Sequence, residues 1–252
     1  MSVLRAQVRG VGHYLPDRVV ENAEFEKTLD TTDEWIRTRS GIERRHFAAE
    51  GETTSQMATA AARAALDDAG MDASDLDAVI VATSTPDLTF PSAATMVQAQ
   101  LGMTGGFAFD VQAVCAGFVY ALTTANALIV AGQARRVMVI GAETFSRIMD
   151  WTDRGTCVLF GDGAGALLLE GGEADGASTD RGILACDLHS DGQYRDILYV
   201  DGGVSTDTVG KLRMEGKEVF RHAVEKLAAT AHAALDKAGL GADDVNWIVP
   251  HQ

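Results

Sequence analysis

The sequence predicts an α/β protein whose sheet is buried on both faces and mostly parallel. Segments with the pattern of strands alternate along the chain with segments that have the pattern of helices. The strand-like segments are nearly continuous apolar runs, which is typical of a sheet covered by helices on both sides. One helix–turn–strand pattern also occurs twice, which indicates two similar halves.

Local signals define the individual elements. Residues 53–70 open on threonines, are rich in alanine and close on Gly70, so both ends of a helix are marked. Residues 76–84 ("LDAVIVATS") then form an apolar run typical of a strand. The same reasoning predicts helices over 91–102 and 115–132, and strands over 106–111 ("GFAFDV") and 136–143 ("RVMVIGAE").

The stretch "FGDGAGA" (160–166) has the alternating glycines of a dinucleotide-binding loop. Such a loop requires a strand before it and a helix after it. Here "TCVLF" precedes the glycines and "GALLLE" follows them, and both segments are strand-like. We therefore interpret the glycines as a tight hairpin in which two backbones approach closely, and not as a nucleotide site.

The repeat aligns residues 66–83 with residues 235–252 at a constant offset of 169 residues. Two similar αβ units could match by chance, because αβ loops draw on few residue types. The alternative is a duplicated half-domain, with an N-terminal half over 1–170 and the start of a second half over 171–252. In that case the counterpart of Cys115 would follow Gln252, so we expect the second half to be incomplete.

Composition narrows the class of protein. The 21 Lys and Arg residues and 36 Asp and Glu residues give a net charge of −15, which argues against nucleic acid or an anionic membrane as the main partner. Three widely spaced cysteines without a CxxC pair indicate neither a disulfide framework nor a metal site. With no visible signal peptide or membrane-spanning run, these features predict a cytoplasmic protein.

Cys115 is the leading candidate for a nucleophile. It lies between a predicted strand and a predicted helix, where free N–H groups and the positive end of the helix dipole favour a thiolate. Ala116 and Gly117 follow it and leave room for a substrate. A buried structural cysteine is the alternative. Cys157 and Cys186 lie inside strand-like runs and are interpreted as structural.

A nucleophilic cysteine requires a base or an orienting group. His251 follows the predicted buried strand "NWIVP", and the carboxyl end of a strand is a common position for a site in an open α/β sheet. By the repeat, its strand corresponds to the one that ends at Ala82. Duplication is therefore expected to bring His251 and Cys115 to one central cleft. The other histidines are interpreted as surface or structural residues.

Six motifs together resemble one enzyme family, β-ketoacyl-acyl-carrier-protein synthase III. They are, in chain order, "DEWIRTRSGIERRH", "FPSAA", "DVQAVCAGFVYAL", "DRGTCVLFGDGAGA", "MEGKEVF" and "VPHQ". The resemblance covers the chain up to Gln252. It implies a thiolase-like fold, with duplicated βαβαβ halves in a layered α/β/α/β/α arrangement. It also implies the condensing activity that starts type II fatty acid synthesis.

The family resemblance implies roles for the two site candidates. Cys115 matches the nucleophile that takes an acetyl group from acetyl-CoA, and its backbone N–H matches an oxyanion-hole donor. His251 matches the histidine of a Cys-His-Asn triad that stabilises the enolate formed when malonyl-acyl-carrier protein loses CO₂. The family extends beyond "VPHQ" into a segment that carries the asparagine. The resemblance therefore implies a C-terminally truncated chain, for which poor or no condensing activity is expected.

The resemblance also implies a set of substrate-binding residues. Trp35 and Arg154 match a pair that sandwiches the CoA adenine. Phe90 matches a residue that reaches into the acyl pocket of the second subunit of a homodimer; an ordinary core phenylalanine is the alternative. The further matches, at the CoA nucleotide end and in "MEGKEVF", are Thr31, Arg39 and Gly216.

No cofactor or metal is expected, because the CoA thioester is itself a substrate. The expected partners are acetyl-CoA, malonyl-acyl-carrier protein and a second copy of the chain. Lys217, Arg221 and Lys226 form either part of a carrier-protein docking surface or an ordinary solvated face. Two other functions stay open: a related acyltransferase of secondary metabolism, and an inactive fragment that acts as a binding or dimerisation module.

Overall fold

Nine strands and six helices are present in the computed structural model, which describes residues 2–251. The strands are β1 (Val3–Tyr14), β2 (Arg18–Glu21), β3 (Arg44–Phe47), β4 (Ala78–Ala82), β5 (Phe107–Val111), β6 (Arg136–Thr144), β7 (Asp162–Ala174), β8 (Leu198–Val200) and β9 (Leu212–Met214). The helices are α1 (Asn22–Phe25), α2 (Asp33–Ser40), α3 (Thr54–Ala69), α4 (Ala93–Leu101), α5 (Gly117–Val130) and α6 (Gly216–Ala238).

The main sheet has five strands in the order β1-β7-β6-β4-β5. β4 pairs in parallel with β5 and β6, whereas β7 runs antiparallel to both β6 and β1. The prediction of a mostly parallel sheet is therefore wrong for half of the pairings. The reason is the connection between β6 and β7: residues 145–161 form short turns and no crossover helix, and a parallel pairing requires such a crossover.

Helices cover both faces of this sheet, as the apolar runs predict. On one face the alanine-rich side of α3, with α4, packs on β4, β6 and β7. On the other face α5 packs through Ala121, Ala125 and Ile129. The close packing of α3 depends on a small residue in β1, because a Cβ atom at Gly12 would collide with the carbonyl oxygen of Ala61.

A third apolar cluster lies beside the main sheet and joins several short elements. Ile36 of α2, Phe47 of β3, Phe145, Met149 and Leu212 of β9 are buried together there. Two small antiparallel sheets, β2-β3 and β8-β9, border the cluster. This cluster packs α2 against the segment that follows β6. The second of the two cavities described below lies between them.

The two copies of the sequence repeat have the same local structure over most of their length. α3 ends at Gly70 and α6 ends at Gly239, and a 3₁₀ turn follows in each copy, at Ala73–Asp75 and Ala242–Asp244. The copies differ at the next element, since β4 has no counterpart over residues 245–251. The division of the chain into halves at residue 170 stays a prediction.

Three predicted elements differ in the structure. "TCVLF" forms turns and not a strand, although its Cys157 and Val158 are buried in the third cluster. "FGDGAGA" does not form a hairpin, because β7 runs without interruption from Asp162 between two antiparallel neighbours. "ILACDL" (183–188) forms no strand; its Ile183 N–H donates to the carbonyl of Ala6, and no ladder continues from there among the described residues.

The predicted strand over "NWIVP" is also absent. Trp247, Ile248 and Val249 are 87%, 80% and 93% exposed. A strand is stabilised by hydrogen bonds to a neighbouring strand and by burial of its side chains. Within residues 2–251 no strand lies beside this segment, so its apolar pattern alone does not produce a strand.

Candidate active site

Cys115 lies at the joint between β5 and α5, as the sequence predicts. β5 ends at Val111, a 3₁₀ turn covers Val114–Ala116, and α5 begins at Gly117. Gly117 packs near the end of β4: a Cβ atom there would be 3.4 Å from the Cβ of Ala82, at the short end of ordinary van der Waals contact. The chain turns sharply before the thiol: Val114 has a φ of 48°, which is rare for a β-branched residue.

Asp110 aligns β5 with the neighbouring helix. Its two carboxylate oxygens each accept a 2.8 Å hydrogen bond, from the N–H groups of Ala93 and Ala94 at the start of α4. This is a favourable position for a negative charge, because the first N–H groups of a helix have no partner within the helix. Asp110 thereby fixes the strand that leads to Cys115 relative to "FPSAA".

A cavity of about 550 Å³ lies at the carboxyl ends of β4, β5 and β6. Gln112 and Val114, which precede Cys115 in the chain, line it together with residues 84–87 and Phe145, whereas Cys115 itself is not among the lining residues. Residues 198–203 close its far side. This volume is sufficient for a small acyl chain and part of its carrier.

The electrostatics at the thiol differ from the sequence-based expectation. Cys115 keeps exposed surface, but crowding by protein atoms removes part of the hydration of its sulfur, and this burial raises the pKa of Cys115. A backbone hydrogen bond at Cys115 lowers the pKa, and the negative charge of Glu143 raises it further. The expected depressed pKa is therefore wrong: desolvation and one carboxylate outweigh the start of the helix.

The sequence reasoning missed Glu143. It is the penultimate residue of β6, and its carboxylate accepts hydrogen bonds from the Ser84 N–H at 2.8 Å and the Thr85 hydroxyl at 2.5 Å. Burial raises the pKa of Glu143, whereas these hydrogen bonds lower it. The signal was present, because "RVMVIGAE" ends on a polar residue at the carboxyl end of a buried strand, as His251 does in its predicted strand.

Trp35 and Arg154 come together, although 119 positions of chain separate them in the printed sequence. The Arg154 guanidinium carbon lies 5.2 Å from the centroid of the Trp35 ring, and that of Arg39 lies 4.5 Å from it. Arg154 is held by the main-chain carbonyl of Asp30 and by its carboxylate at 3.3 Å. The half-buried indole thus has two guanidinium groups against it, and a flat ligand can stack between Trp35 and Arg154 only if the two move apart.

A second cavity, of about 370 Å³, extends from this group. Trp35, Arg39 and Gly216 line it, together with Lys217 and Phe220 of α6. Thr31 lies in the loop before α2, and its hydroxyl is buried without a hydrogen-bond partner among the described residues. Three of the six predicted substrate-binding residues, Trp35, Arg39 and Gly216, therefore line this cavity. Arg154 contacts one of them, Trp35.

Comparison with known proteins identifies the family. The family model described as 3-oxoacyl-[acyl-carrier-protein (ACP)] synthase III matches residues 109–192. The β-ketoacyl-[acyl-carrier-protein] synthase III of Cereibacter sphaeroides is 77% identical over 249 residues, which cover 99% of this chain and 77% of that relative. The chain belongs to the β-ketoacyl-acyl-carrier-protein synthase III family. It is thus an acyltransferase of the condensing-enzyme type that initiates fatty acid synthesis, as the sequence predicts.

Solved structures of the synthase III family confirm the thiolase-like fold. The 3-oxoacyl-(acyl carrier protein) synthase III of Pseudomonas aeruginosa superposes with a TM-score of 0.90 at 41% identity, over 98% of this chain and 75% of that one. A priming β-ketosynthase from a polyketide biosynthetic pathway superposes with a TM-score of 0.88 at 36% identity, over 96% of this chain and 72% of that one. None of the described helices is long and apolar enough to cross a membrane.

A further residue of the predicted substrate-binding set, Phe90, lies on the surface. Phe90 is 82% exposed, so it is not an ordinary core phenylalanine. It lies in the loop that joins β4 to α4, on the side of the sheet where β5 forms an edge. β5 pairs with β4 alone among the described strands, and Phe107 at its start is 37% exposed.

His251 is exposed in this structure. No hydrogen bond or ion pair joins it to Cys115 within the described part of the chain, so the predicted juxtaposition of the two is not observed. That juxtaposition depends on the strand predicted over "NWIVP", and this strand does not form. The role of His251 in the synthase III mechanism stays a prediction that rests on the "VPHQ" motif.

The other cysteines and the basic residues of α6 have ordinary structural surroundings. Cys157 is fully buried, and burial raises its pKa to about 11. Cys186 is partly buried. Arg221 pairs with Glu218 at 2.6 Å, and Lys226 pairs with Asp191 at 3.2 Å. These pairs favour a solvated face at those two positions, whereas Lys217 borders the second cavity.

Proposed function

We propose that Cys115 takes the acetyl group of acetyl-CoA and then donates it to the carbanion of decarboxylated malonyl-acyl-carrier protein. The position of the thiol carries this proposal: it lies at the start of α5, directly after Val114, which lines the 550 Å³ cavity. An exposed thiol next to a cavity that admits a short acyl chain is suited to an acyl-enzyme mechanism.

The first half-reaction is transfer between thioesters. The Cys115 sulfur attacks the acetyl carbonyl carbon, the C–S bond to CoA breaks, and the CoA sulfur leaves with the proton that the thiol gives up. The N–H of Cys115 donates to the oxygen that becomes negative in the tetrahedral intermediate. Because the pKa of Cys115 is raised, the thiol is mostly protonated at neutral pH, and its proton has to leave as the substrate binds.

CoA binds, in this proposal, at the second cavity. The adenine stacks against Trp35 and the guanidinium of Arg154, and Arg39 supplies a positive charge near the phosphates. Thr31 has an unpartnered buried hydroxyl that suits a polar group of the nucleotide. Gly216 leaves the opening clear, since the nearest atom to a Cβ placed on it is the end of the flexible Met214 side chain.

The second half-reaction forms a carbon–carbon bond. Malonyl-acyl-carrier protein loses CO₂, the electrons of the broken bond form an enolate, and the enolate carbon attacks the acetyl-Cys115 carbonyl. The Cys115 sulfur leaves and acetoacetyl-acyl-carrier protein is released. His251 is the proposed donor to the enolate oxygen, on the strength of its motif. The reaction as a whole is decarboxylative condensation, with the CoA thioester as primer.

We further propose a homodimer in the cytoplasm. The free edge of β5 and the exposed Phe90 support it, because two β5 edges can pair across a two-fold axis and extend the sheet. In that arrangement Phe90 of each copy reaches toward the acyl cavity of the other.

Acylation of Cys115 is tested by intact-mass measurement after incubation with acetyl-CoA. The expected result is a gain of one acetyl group, located on Cys115 by peptide mapping. Cys115→Ala is expected to remove the modification, and Cys186→Ser, a matched change at a partly buried cysteine, is expected to keep it. Acetylation that maps to Cys157 or Cys186 contradicts the proposal.

A second candidate function is the priming reaction of a secondary-metabolite pathway. The 36% identity to a priming β-ketosynthase of polyketide biosynthesis favours keeping it. Rates of Cys115 acylation with acetyl-CoA and with longer acyl-CoA thioesters separate the two functions. An inactive binding module, the third possibility, predicts no acylation with any of these thioesters while the CoA affinity persists.

A further inference from the structure

Glu143 is a buried carboxylate that the mechanism above does not use. It lies two residues after Gly141 on β6, and residues that differ by two positions on a strand face the same side of a sheet. A Cβ atom at Gly141 would be 3.3 Å from the Phe118 ring of α5, so Glu143 faces the side of the sheet that carries α5 and Cys115.

Every described hydrogen bond of the Glu143 carboxylate goes to one segment, residues 83–87. The Ser84 N–H donates at 2.8 Å, the Thr85 hydroxyl at 2.5 Å and the Thr83 hydroxyl at 3.4 Å. The Thr85 hydroxyl in turn accepts from the N–H of Thr144, at 2.8 Å. The hydroxyls act as donors to Glu143, which is the arrangement that an ionised carboxylate requires.

Residues 84–87 form one wall of the 550 Å³ cavity. The far end of the wall is held independently, because the Asp87 carboxylate accepts from the Ser55 N–H at 2.9 Å and from its hydroxyl at 2.6 Å. Glu143 holds the near end. The segment has no helical or strand hydrogen bonds of its own. Its course is fixed by these two carboxylates together with the Thr54 hydroxyl, which donates to the Thr85 carbonyl at 2.6 Å.

We propose that Glu143 is a positioning residue for the acylation of Cys115: its carboxylate fixes the wall of residues 83–87 and thereby restricts the cavity to short acyl groups. The inference rests on the function proposed above and adds to it a residue that selects the substrate by size. A wall held by ionic hydrogen bonds yields less to a longer chain than one held by packing alone.

Glu143 has a second effect on the same thiol, since its negative charge contributes to the raised pKa of Cys115. The two charged residues that line this cavity, Asp87 and Arg147, are paired elsewhere. Asp87 is bonded to Ser55, and the Arg147 guanidinium donates to main-chain carbonyls at Ala49 and Glu52. Asp110, on β5, is bonded at the start of α4. Glu143 is therefore the charge whose removal is expected to change the titration of Cys115.

The test compares Glu143→Gln with Glu143→Asp, which keeps the charge, and with Glu173→Gln, a matched change at an exposed carboxylate near the end of β7. Acylation of Cys115 is followed by intact mass with acetyl-CoA and with hexanoyl-CoA. In Glu143→Gln an amide N–H replaces one acceptor oxygen and faces a donor. We expect its preference for the acetyl thioester over the hexanoyl thioester to fall about tenfold, the effect of one lost ionic hydrogen bond.

The second measurement is the pH dependence of Cys115 alkylation by iodoacetamide, which does not require any acyl transfer. Loss of the negative charge in Glu143→Gln is expected to shift the half-maximal rate to lower pH, whereas Glu143→Asp and Glu173→Gln keep the wild-type profile. If Glu143 were only structural, Glu143→Gln would lower the thermal stability of the protein and leave the pH of half-maximal alkylation unchanged.

The outcomes are distinguishable from those for the proposed function. If the wild-type chain is not acylated by either thioester, the proposed function fails, and the alkylation profile still decides whether Glu143 acts on Cys115. If the wild type is acylated and Glu143→Gln keeps both the wild-type selectivity and the wild-type alkylation profile, the inference is wrong.

Discussion

Gly70 and Gly239 end their helices in the same left-handed conformation, with φ and ψ of 63° and 37° at one and 69° and 31° at the other. Each N–H bonds back to the carbonyls at matching positions of the repeat. Yet α3 has a buried face, and α6 has no buried residue among those described. The same helix end therefore occurs in two very different packing environments.

This difference predicts unequal effects of the same substitution. Gly70→Ala and Gly239→Ala each force a Cβ into the left-handed region, at a local cost of about 1–2 kcal/mol. We expect Gly70→Ala to lower the free energy of unfolding of the main sheet by that amount, because α3 unfolds with the core. Gly239→Ala is expected to reduce hydrogen-exchange protection in α6 alone.

Urea denaturation followed by circular dichroism, combined with hydrogen exchange, measures both effects. Gly165→Ala is the control, because its φ is ordinary and a Cβ there meets no atom within 4 Å. Equal changes in the global unfolding free energy for Gly70→Ala and Gly239→Ala would show that α6 is as firmly integrated as α3.

Trp35→Ala is expected to weaken CoA binding by about 1–2 kcal/mol, the contribution of one partly desolvated cation–aromatic contact. The variant removes the ring that lies against both Arg39 and Arg154. Calorimetric titration with CoA measures the change. Trp247→Ala removes an equally large ring that is 87% exposed and lines neither of the two cavities, and it is expected to leave the affinity unchanged. A CoA affinity that Trp35→Ala does not alter excludes this residue from the adenine site.

The raised pKa of Cys115 predicts a definite direction in alkylation experiments. A higher pKa means that less thiolate is present at any pH below it, so iodoacetamide labelling of Cys115 should reach half its maximal rate at a higher pH than a free cysteine does. Cys115 is nevertheless expected to label before Cys157, which is fully buried and whose pKa burial raises to about 11. Half-maximal labelling of Cys115 below the pKa of free cysteine contradicts this account of the site.

The free edge of β5 predicts self-association. Phe107→Lys places a charge on the edge, and in a two-fold pairing it places a like charge opposite, so the variant is expected to shift the chain toward monomer. Light scattering at micromolar concentration measures the mass. Val130→Lys, at an exposed position at the end of α5, is the control and is expected to keep the wild-type mass. A wild-type chain that is monomeric under these conditions contradicts the proposed homodimer.

Local signals in the sequence predict those elements whose ends are chemically marked. Thr53 and Gly70 delimit α3, and the structure has a capping box at the first and a left-handed residue at the second. Two of the apolar runs form the predicted strands β4 and β6, which helices cover on both faces of the sheet. By contrast, "TCVLF" and "NWIVP" are apolar runs of the same kind that form no strand, because pairing depends on neighbours that a local pattern does not specify.

The candidate site likewise has features that the local sequence predicts and features that it does not. The position of Cys115 follows from the strand–helix joint, which is local. The raised pKa of Cys115 does not, because it results first from burial by the surrounding fold and then from the charge of Glu143, which lies on a strand on the opposite side of β4. The contact between Trp35 and Arg154 came from the family resemblance, since no periodic pattern links two residues so distant in sequence.

Val114, the residue before the nucleophile, folds with a φ of 48°. A branched side chain in that region costs on the order of 1–3 kcal/mol, and the surrounding packing has to compensate for it. Selection of this protein for heat resistance alone would therefore favour glycine at position 114, which relaxes the turn. Such a variant would tolerate higher temperature while losing a fixed direction for the sulfur, so screens for robustness and screens for turnover are expected to select opposite residues at this position.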